Sequence, residues 1–98
     1  MSVTASQSGD TVTIVITGRF DFSAHQDFVN SYSDLPKGKC DFVVDMTGAE
    51  YMDSSAMGML LQLREYANKD NRVQLKNTNS SIQEILKIAN FDKLFDIR

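Results

Sequence analysis

The pattern of apolar and polar positions at the start of the chain predicts two strands. Val3, Ala5 and Gln7 alternate with polar Thr and Ser neighbours, as in a weak edge strand. Residues 11–17 are all β-branched and predict a strong central strand. The segment Ser8-Gly9-Asp10 between them has the chemistry of a tight turn, so we expect the two strands to form a hairpin.

A helical pattern follows the second strand, which should end within residues 18–21. Ser23 and Gln26 are three residues apart and predict a capping box at the start of a helix. The residues spaced to form one apolar helix face are Ala24, Phe28, Val29 and Tyr32. This helix should end before Pro36. A turn is predicted at Lys37-Gly38-Lys39.

The middle of the chain predicts a second buried strand over residues 40–46, followed by a short polar connection at 47–50. Good helix formers then fill residues 55–68 and predict the longest helix. A polar loop at 68–71 and a short alternating strand at 72–76 complete this part.

The last quarter of the chain predicts two more helices. Ser80 and Ser81 offer overlapping capping boxes. The apolar face behind them consists of Ile82, Ile85, Leu86 and Ala89. A final short helix is expected at about 92–95. The predicted order is β-β-α-β-α-β-α-α, an α/β fold with one mixed sheet of about four strands and helices mainly on one face.

Composition restricts the functions that the chain can have. Its 98 residues fit one domain over 1–98, and 42% of them are apolar, as in ordinary globular proteins. The net charge is −3, and lysine and arginine are not clustered, which argues against nucleic-acid binding. No apolar run approaches the ~20 residues that span a bilayer. With no signal-like start and a single cysteine, Cys40, which we assign to the core, we expect a cytoplasmic protein.

The segment that enters the longest helix is the most informative part of the sequence. Asp53, Ser54 and Ser55 lie at a loop-to-helix junction, where either Asp53 or Ser54 can cap the helix. One face of this helix should be core, with Ala56, Met59, Leu60 and Leu63. Met57 and Leu61 then fall on an adjoining face, and we expect them to be exposed as part of a binding surface.

This segment, residues 46–58 with the sequence MTGAEYMDSSAMG, resembles the signature of STAS domains, the family of bacterial anti-sigma-factor antagonists. Upstream, residues 18–21 (GRFD) look like the Gly-x-φ-Asp strand end of that family, where φ is an apolar residue. Downstream, residues 85–91 and Leu94-Phe95 are similar to its C-terminal helices. Ala56 stands where many members have Gly, which changes little because Ala is the better helix former.

The resemblance implies a function without catalysis, cofactor or metal. The serine after the aspartate, Ser54, would be the phosphorylation site, with Asp53 and Ser55 as its neighbours. Asp21 can simply end its strand and cap the next helix, or it can also flank Ser54 and assist recognition. The implied partner is a serine kinase of the histidine-kinase-like ATPase fold that also binds a sigma factor, or a related kinase/phosphatase regulator. A metal-dependent serine phosphatase would reverse the modification. We expect a monomer.

Three other interpretations remain open at this point. Asp53-Ser54-Ser55 can be a simple helix cap. Ser54 can be the nucleophile of an enzyme, although the only histidine, His25, has no metal-ligating or orienting neighbours in sequence and no nucleophile-elbow motif is present. The chain can also be the STAS subunit of a membrane transporter, such as a lipid-exporting ABC system, but those subunits often lack the Asp-Ser-Ser element.

Overall fold

A computed structural model of the protein describes residues 2–67 and 73–97. Its helices and strands follow the predicted alternation over most of the chain. In chain order they are β1 (Ser2–Ser8), β2 (Thr11–Phe20), a 3₁₀ turn (Phe22–Ala24), α1 (His25–Asn30), β3 (Asp41–Met52), α2 (Ser54–Ala67), β4 (Val73–Lys76), α3 (Ser80–Ile88), a second 3₁₀ turn (Phe91–Lys93) and β5 (Asp96–Ile97). The predicted loop at 68–71 lies outside the described residues.

The strands form one mixed sheet in the order β1-β2-β3-β4-β5. The predicted hairpin is confirmed: β1 and β2 are antiparallel, with Gly9 at φ +60° in the turn. The remaining neighbours are parallel. The sheet has five strands instead of about four, because the short strand Asp96–Ile97 follows the helix expected at 92–95, where the structure has the 3₁₀ turn Phe91–Lys93. A two-residue strand has no periodicity to detect, so only its pairing with β4 defines it.

The core lies on one side of the sheet, as expected for helices packed mainly on one face. Along β2, Val12, Ile14 and Ile16 are buried, whereas the residues between them are only half-buried. The same alternation continues in β3 and β4. Because the burial falls on one side of the sheet, the helices cover that side, which confirms the predicted layer arrangement. Cys40 is buried as expected.

Strand β3 is longer than predicted, since the polar connection expected at 47–50 is part of the strand. The register shifts twice along β2 and β3, and Phe20 then pairs with Met52. Gly48 permits the close contact that this irregular pairing needs: a Cβ on Gly48 would lie 2.7 Å from Cγ2 of Thr17. The consequence is that β2 and β3 end side by side.

The predicted capping boxes are wrong by one or two residues. The alternative that Asp21 caps the first helical segment is confirmed, and Asn79, not Ser80 or Ser81, caps α3 by accepting a hydrogen bond from the N–H of Ile82 at 2.8 Å. In each case the side chain that accepts the bond belongs to the residue in extended conformation just outside the helix, which sequence spacing alone does not identify. On α3, Ile82 and Leu86 are buried and Ile85 is half-buried, whereas the predicted core residue Ala89 is exposed.

Candidate phosphorylation and docking site

The predicted site residues lie at the carboxyl ends of two adjacent parallel strands. Phe20 ends β2 and Met52 ends β3, and these two residues are paired. The N–H of Asp53 donates to the carbonyl of Phe20 at 3.4 Å. Asp21 and Asp53 therefore leave the sheet from neighbouring positions, although they are far apart in sequence. Ligands and partners of α/β sheets commonly bind at the carboxyl ends of the strands.

Asp53 supplies the cap of α2. Its Oδ1 accepts a hydrogen bond from the N–H of Ala56 at 3.0 Å, and its carbonyl accepts one from the N–H of Met57 at 3.3 Å. Of the two candidate caps, the structure therefore selects Asp53. The helix begins at Ser54, one residue earlier than predicted, and Ser54 is exposed while Ser55 is half-buried.

Asp21 is held as a carboxylate at the end of β2. Its Oδ1 accepts hydrogen bonds from the hydroxyl of Ser23 at 2.5 Å and from the N–H of Ser23 at 3.0 Å. These bonds, assisted by Arg19 with its Nε 3.6 Å from Oδ2, lower the pKa of Asp21 below its ordinary value. The guanidinium of Arg19 also lies over the ring of Tyr51, 4.2 Å from its centroid. This end of the sheet thus presents fixed negative charge at Asp21.

Helix α2 has the predicted core face, and its other side differs from the prediction at one position. Ala56, Met59, Leu60 and Leu63 are buried. Leu61 is 38% exposed, in agreement with the sequence. Met57 is half-buried and packs against the core, so the expectation that it faces solvent is wrong. A helix that lies flat on a sheet leaves only a narrow strip fully exposed, and Met57 lies at the border of that strip.

One exposed residue next to the site was not predicted from the sequence. Phe22 directly follows Asp21 and is 69% exposed, and its ring stacks on His25 with the centroids 5.3 Å apart. A phenylalanine immediately after a strand-ending aspartate was the available signal. His25 is half-buried at the start of α1, beside an open groove between α1 and α2 that includes Gln62 and Tyr66. Among residues 2–67 and 73–97, no three metal-ligating side chains form a cluster.

Comparison with known proteins now assigns the family. The family model described as "Mlab, STAS domain" matches residues 3–96. The chain belongs to the STAS domain family. A STAS-domain containing protein of Pseudomonas aeruginosa strain UCBPP-PA14 is 46% identical to it over 100 residues, covering 99% of each chain.

Solved structures of anti-sigma factor antagonists share this fold. Unphosphorylated SpoIIAA matches with a TM-score of 0.76 at 19% identity, over 99% of this chain and 87% of the other. An anti-sigma factor antagonist from Mycobacterium paratuberculosis matches with a TM-score of 0.81 at 14% identity, over 98% and 83%. Phosphorylated SpoIIAA from Bacillus matches with a TM-score of 0.68 at 16% identity, over 99% and 91%. In the part of this STAS domain that the structure describes, no helix is long and apolar enough to cross a membrane.

Proposed function

We propose that this STAS domain is a protein-binding switch of the anti-sigma-factor-antagonist type, controlled by phosphorylation of Ser54. The unphosphorylated form binds a serine kinase of the histidine-kinase-like ATPase fold that doubles as an anti-sigma factor, or a related kinase/phosphatase regulator. Phosphorylation releases that partner, and a metal-dependent serine phosphatase restores binding. The domain acts in the cytoplasm and carries out no catalysis of its own.

The observation that carries this proposal is that the cap of α2 and the exposed hydroxyl belong to two different residues, Asp53 and Ser54. Asp53 makes the hydrogen bond that caps α2, while Ser54 is exposed at the first helical position. Modification of Ser54 therefore leaves the cap in place. The N–H groups of a first helical turn and the positive end of the helix dipole also tolerate a phosphate. The position combines access for a kinase with tolerance of the product.

The chemistry of the switch follows from charge. The hydroxyl of Ser54 attacks the γ-phosphorus of ATP bound to the kinase, ADP leaves, and the serine proton passes to a base of the kinase. The product carries a charge of nearly −2 beside the carboxylate of Asp53. A partner carboxylate ~6 Å from it would be repelled by several kcal/mol at an effective dielectric of about 20. Since about 1.4 kcal/mol is tenfold in affinity, this repulsion is enough to break a complex.

The docking surface proposed around Ser54 consists of Asp21, Asp53, Ser55, Met57 and Leu61. Met57 and Leu61 follow Ser54 by three and seven residues, so the three positions share one side of α2. The 46% identical relative supports a STAS function without naming a partner. The SpoIIAA structures supply an antagonist of the same fold in both phosphorylation states, which supports a switch of this kind.

The decisive experiment is mass spectrometry of the protein after treatment with its kinase, together with capture of partners from the native bacterium. Phosphate is expected on Ser54 and absent in Ser54→Ala, while the matched control Ser55→Ala is still modified. Wild type and Ser54→Ala should capture the same kinase, and Ser54→Asp should lose it. Phosphate on Ser55 alone would overturn the assignment. Capture of a membrane-transporter ATPase instead of a soluble kinase would establish the transporter-subunit alternative.

A further inference from the structure

The two edges of the sheet are protected very differently. At one edge, β5 is two residues long and starts with the charged residue Asp96. At the other, β1 has seven residues, SVTASQS, with no charged residue and no proline. Natural sheets prevent edge-to-edge pairing with short strands, charges, proline or bulges. Strand β1 pairs with β2 in continuous register from Ser2↔Thr17 to Ser8↔Thr11, so a bulge does not protect it either.

Strand β1 is also covered by little of its own domain. Val3 is half-buried, and the other six side chains of the strand are exposed. Among residues 2–67 and 73–97, β2 is its only neighbour in the sheet. Every second residue of β1 therefore directs its backbone N–H and C=O groups outward, where they are available to another strand.

We propose that β1 pairs with β1 of a second copy of this chain, antiparallel across a two-fold axis, so that two five-stranded sheets join into one. The axis passes at Ala5, which then faces its own counterpart. The other pairs are Val3 with Gln7, Thr4 with Ser6, and Ser2 with Ser8. Each pair joins two odd-numbered or two even-numbered residues. The outward-pointing groups of both chains therefore meet, whichever alternate set faces outward.

The chemistry of the strand favours a second copy over a different partner. A two-fold interface brings a surface patch against itself, so any charge on the patch would meet a like charge. β1 carries no charge, and its side chains are of small or medium size on both faces. Backbone hydrogen bonds then supply the attraction, and β1 has no charged side chain that would favour a strand of a different protein. The net charge of −3 on each copy opposes association at long range, and added salt screens it.

The proposed pairing does not rest on the phosphorylation switch. Strand β1 lies beyond β2, whereas Ser54 follows β3. A dimer formed through β1 presents two separate Ser54 sites, and it replaces the monomer expected from the sequence.

Sedimentation equilibrium of the purified protein between about 1 and about 100 µM tests the pairing, because this range brackets micromolar dissociation constants. Wild type should show a monomer–dimer equilibrium that shifts toward dimer with added salt. Ala5→Lys and Ala5→Glu should each weaken the dimer roughly fivefold, because like charges then lie directly opposite each other. A mixture of the two variants should regain dimer. The matched control, Ala89→Lys, changes an exposed alanine outside the sheet and should dimerise as wild type does.

Hydrogen exchange of wild type supplies a readout that needs no variant: alternate β1 amides should exchange more slowly at the high concentration. Wild type that remains monomeric over the whole range would overturn self-pairing. If such a monomer bound its partner less well after Ala5→Lys, the edge would belong to that partner. A dimer that Ala5→Lys leaves intact, with β1 exchange independent of concentration, would place the interface elsewhere. A dimer lost in Leu61→Glu and kept in Ala5→Lys would assign it to α2.

Discussion

One side of helix α2 packs into the core, and the other side meets solvent, yet the first two turns of the exposed side carry no charged residue. On the inner side Leu60 and Leu63 are fully buried. On the outer side the exposed residues Ser54, Gly58 and Leu61 carry no charge, and a charge appears only further along, at Glu65. An exposed helix face normally carries charged and polar residues. The inner side of α2 is accounted for by the fold of the single chain, whereas the uncharged start of its outer side fits the docking surface proposed around Ser54.

The comparison separates two kinds of effect that substitutions in the same helix should have. Changes on the inner side should reduce the free energy of unfolding and leave the affinity of the folded protein for its partner unchanged. Changes on the outer side should weaken the affinity for the partner and leave the free energy of unfolding nearly unchanged.

The largest effect on stability is expected from Leu60→Ala. This substitution leaves a cavity in the core and should reduce the free energy of unfolding by about 2–5 kcal/mol. Urea denaturation measures the loss, and Leu61→Ala, one residue away on the exposed side, is the matched control with an expected loss below about 1 kcal/mol. Equal losses in the two variants would mean that the two sides of α2 are not distinct.

The division of α2 into two sides could be predicted from the sequence, because helical spacing alone places Ala56, Met59, Leu60 and Leu63 together. The position of Met57 could not, since the degree of burial at the border of a helix face depends on how the helix lies on the sheet. The extension of β3 through residues 47–52 was missed for a similar reason. Its polar residues form a strand only because β2 is beside them, and two register shifts accommodate the pairing.

The site itself was predicted in part. The Asp53-Ser54 junction was identified as the start of a helix, and the structure then selected Asp53 as the cap. Phe22 was not proposed, because exposure of a single aromatic residue depends on the tertiary structure. Asp21 and Asp53 lie at the same end of the sheet because β2 and β3 pair in parallel. The sequence suggested this pairing only through the alternation of strands and helices.

The next largest effect is expected on binding, from Leu61→Glu. If Leu61 is a central contact, a buried charge there should weaken partner binding by about 2 kcal/mol or more. The free energy of unfolding should stay within about 1 kcal/mol of wild type, because the side chain is 38% exposed in the free protein. Calorimetric titration with the captured partner and a denaturation curve measure both quantities.

Two further variants calibrate that result. Ile88→Glu introduces the same charge at an apolar residue of α3 that is 76% exposed, and it should bind as wild type does. Met57→Glu should lose both affinity and about 1 kcal/mol or more of stability, because Met57 packs partly against the core. If Leu61→Glu is stable and binds normally, the partner docks on another surface.

A smaller effect, of opposite sign in stability and binding, is expected from Gly58→Ala. Gly58 lies in the interior of α2, four residues after Ser54, and a Cβ at this position would meet no atom within 4 Å. Glycine there costs about 1 kcal/mol of helix stability relative to alanine, and no close contact within this chain requires a glycine at the position. Gly58→Ala should therefore raise the free energy of unfolding by about 1 kcal/mol.

The same methyl group should weaken partner binding if the bare backbone at Gly58 allows a partner to approach closely. Gln62→Ala, one turn further along the same side, is the control for a loss of contact area without a change in backbone access. A Gly58→Ala protein that is more stable and binds at least as tightly as wild type would show that close approach at this position is not required.

The smallest effect is expected on the pH dependence of stability, from Asp21 at the end of β2. It shows whether the negative charge of Asp21 stabilises the fold or serves only the docking surface. The hydroxyl and N–H of Ser23, together with Arg19, lower the pKa of Asp21 in the folded protein. The unfolded chain, with a pKa of about 3.9, therefore binds the proton more readily. The stabilisation is complete above about pH 5 and is lost as the pH falls through 3.9 toward the lower pKa of the folded state.

Denaturation curves at pH 7 and pH 3 should show the steepest loss in wild type, a smaller loss in Ser23→Ala and the smallest in Asp21→Asn. If all three proteins lose the same stability, the hydrogen bonds of Asp21 do not stabilise the fold, and its negative charge is left as a feature of the docking surface alone.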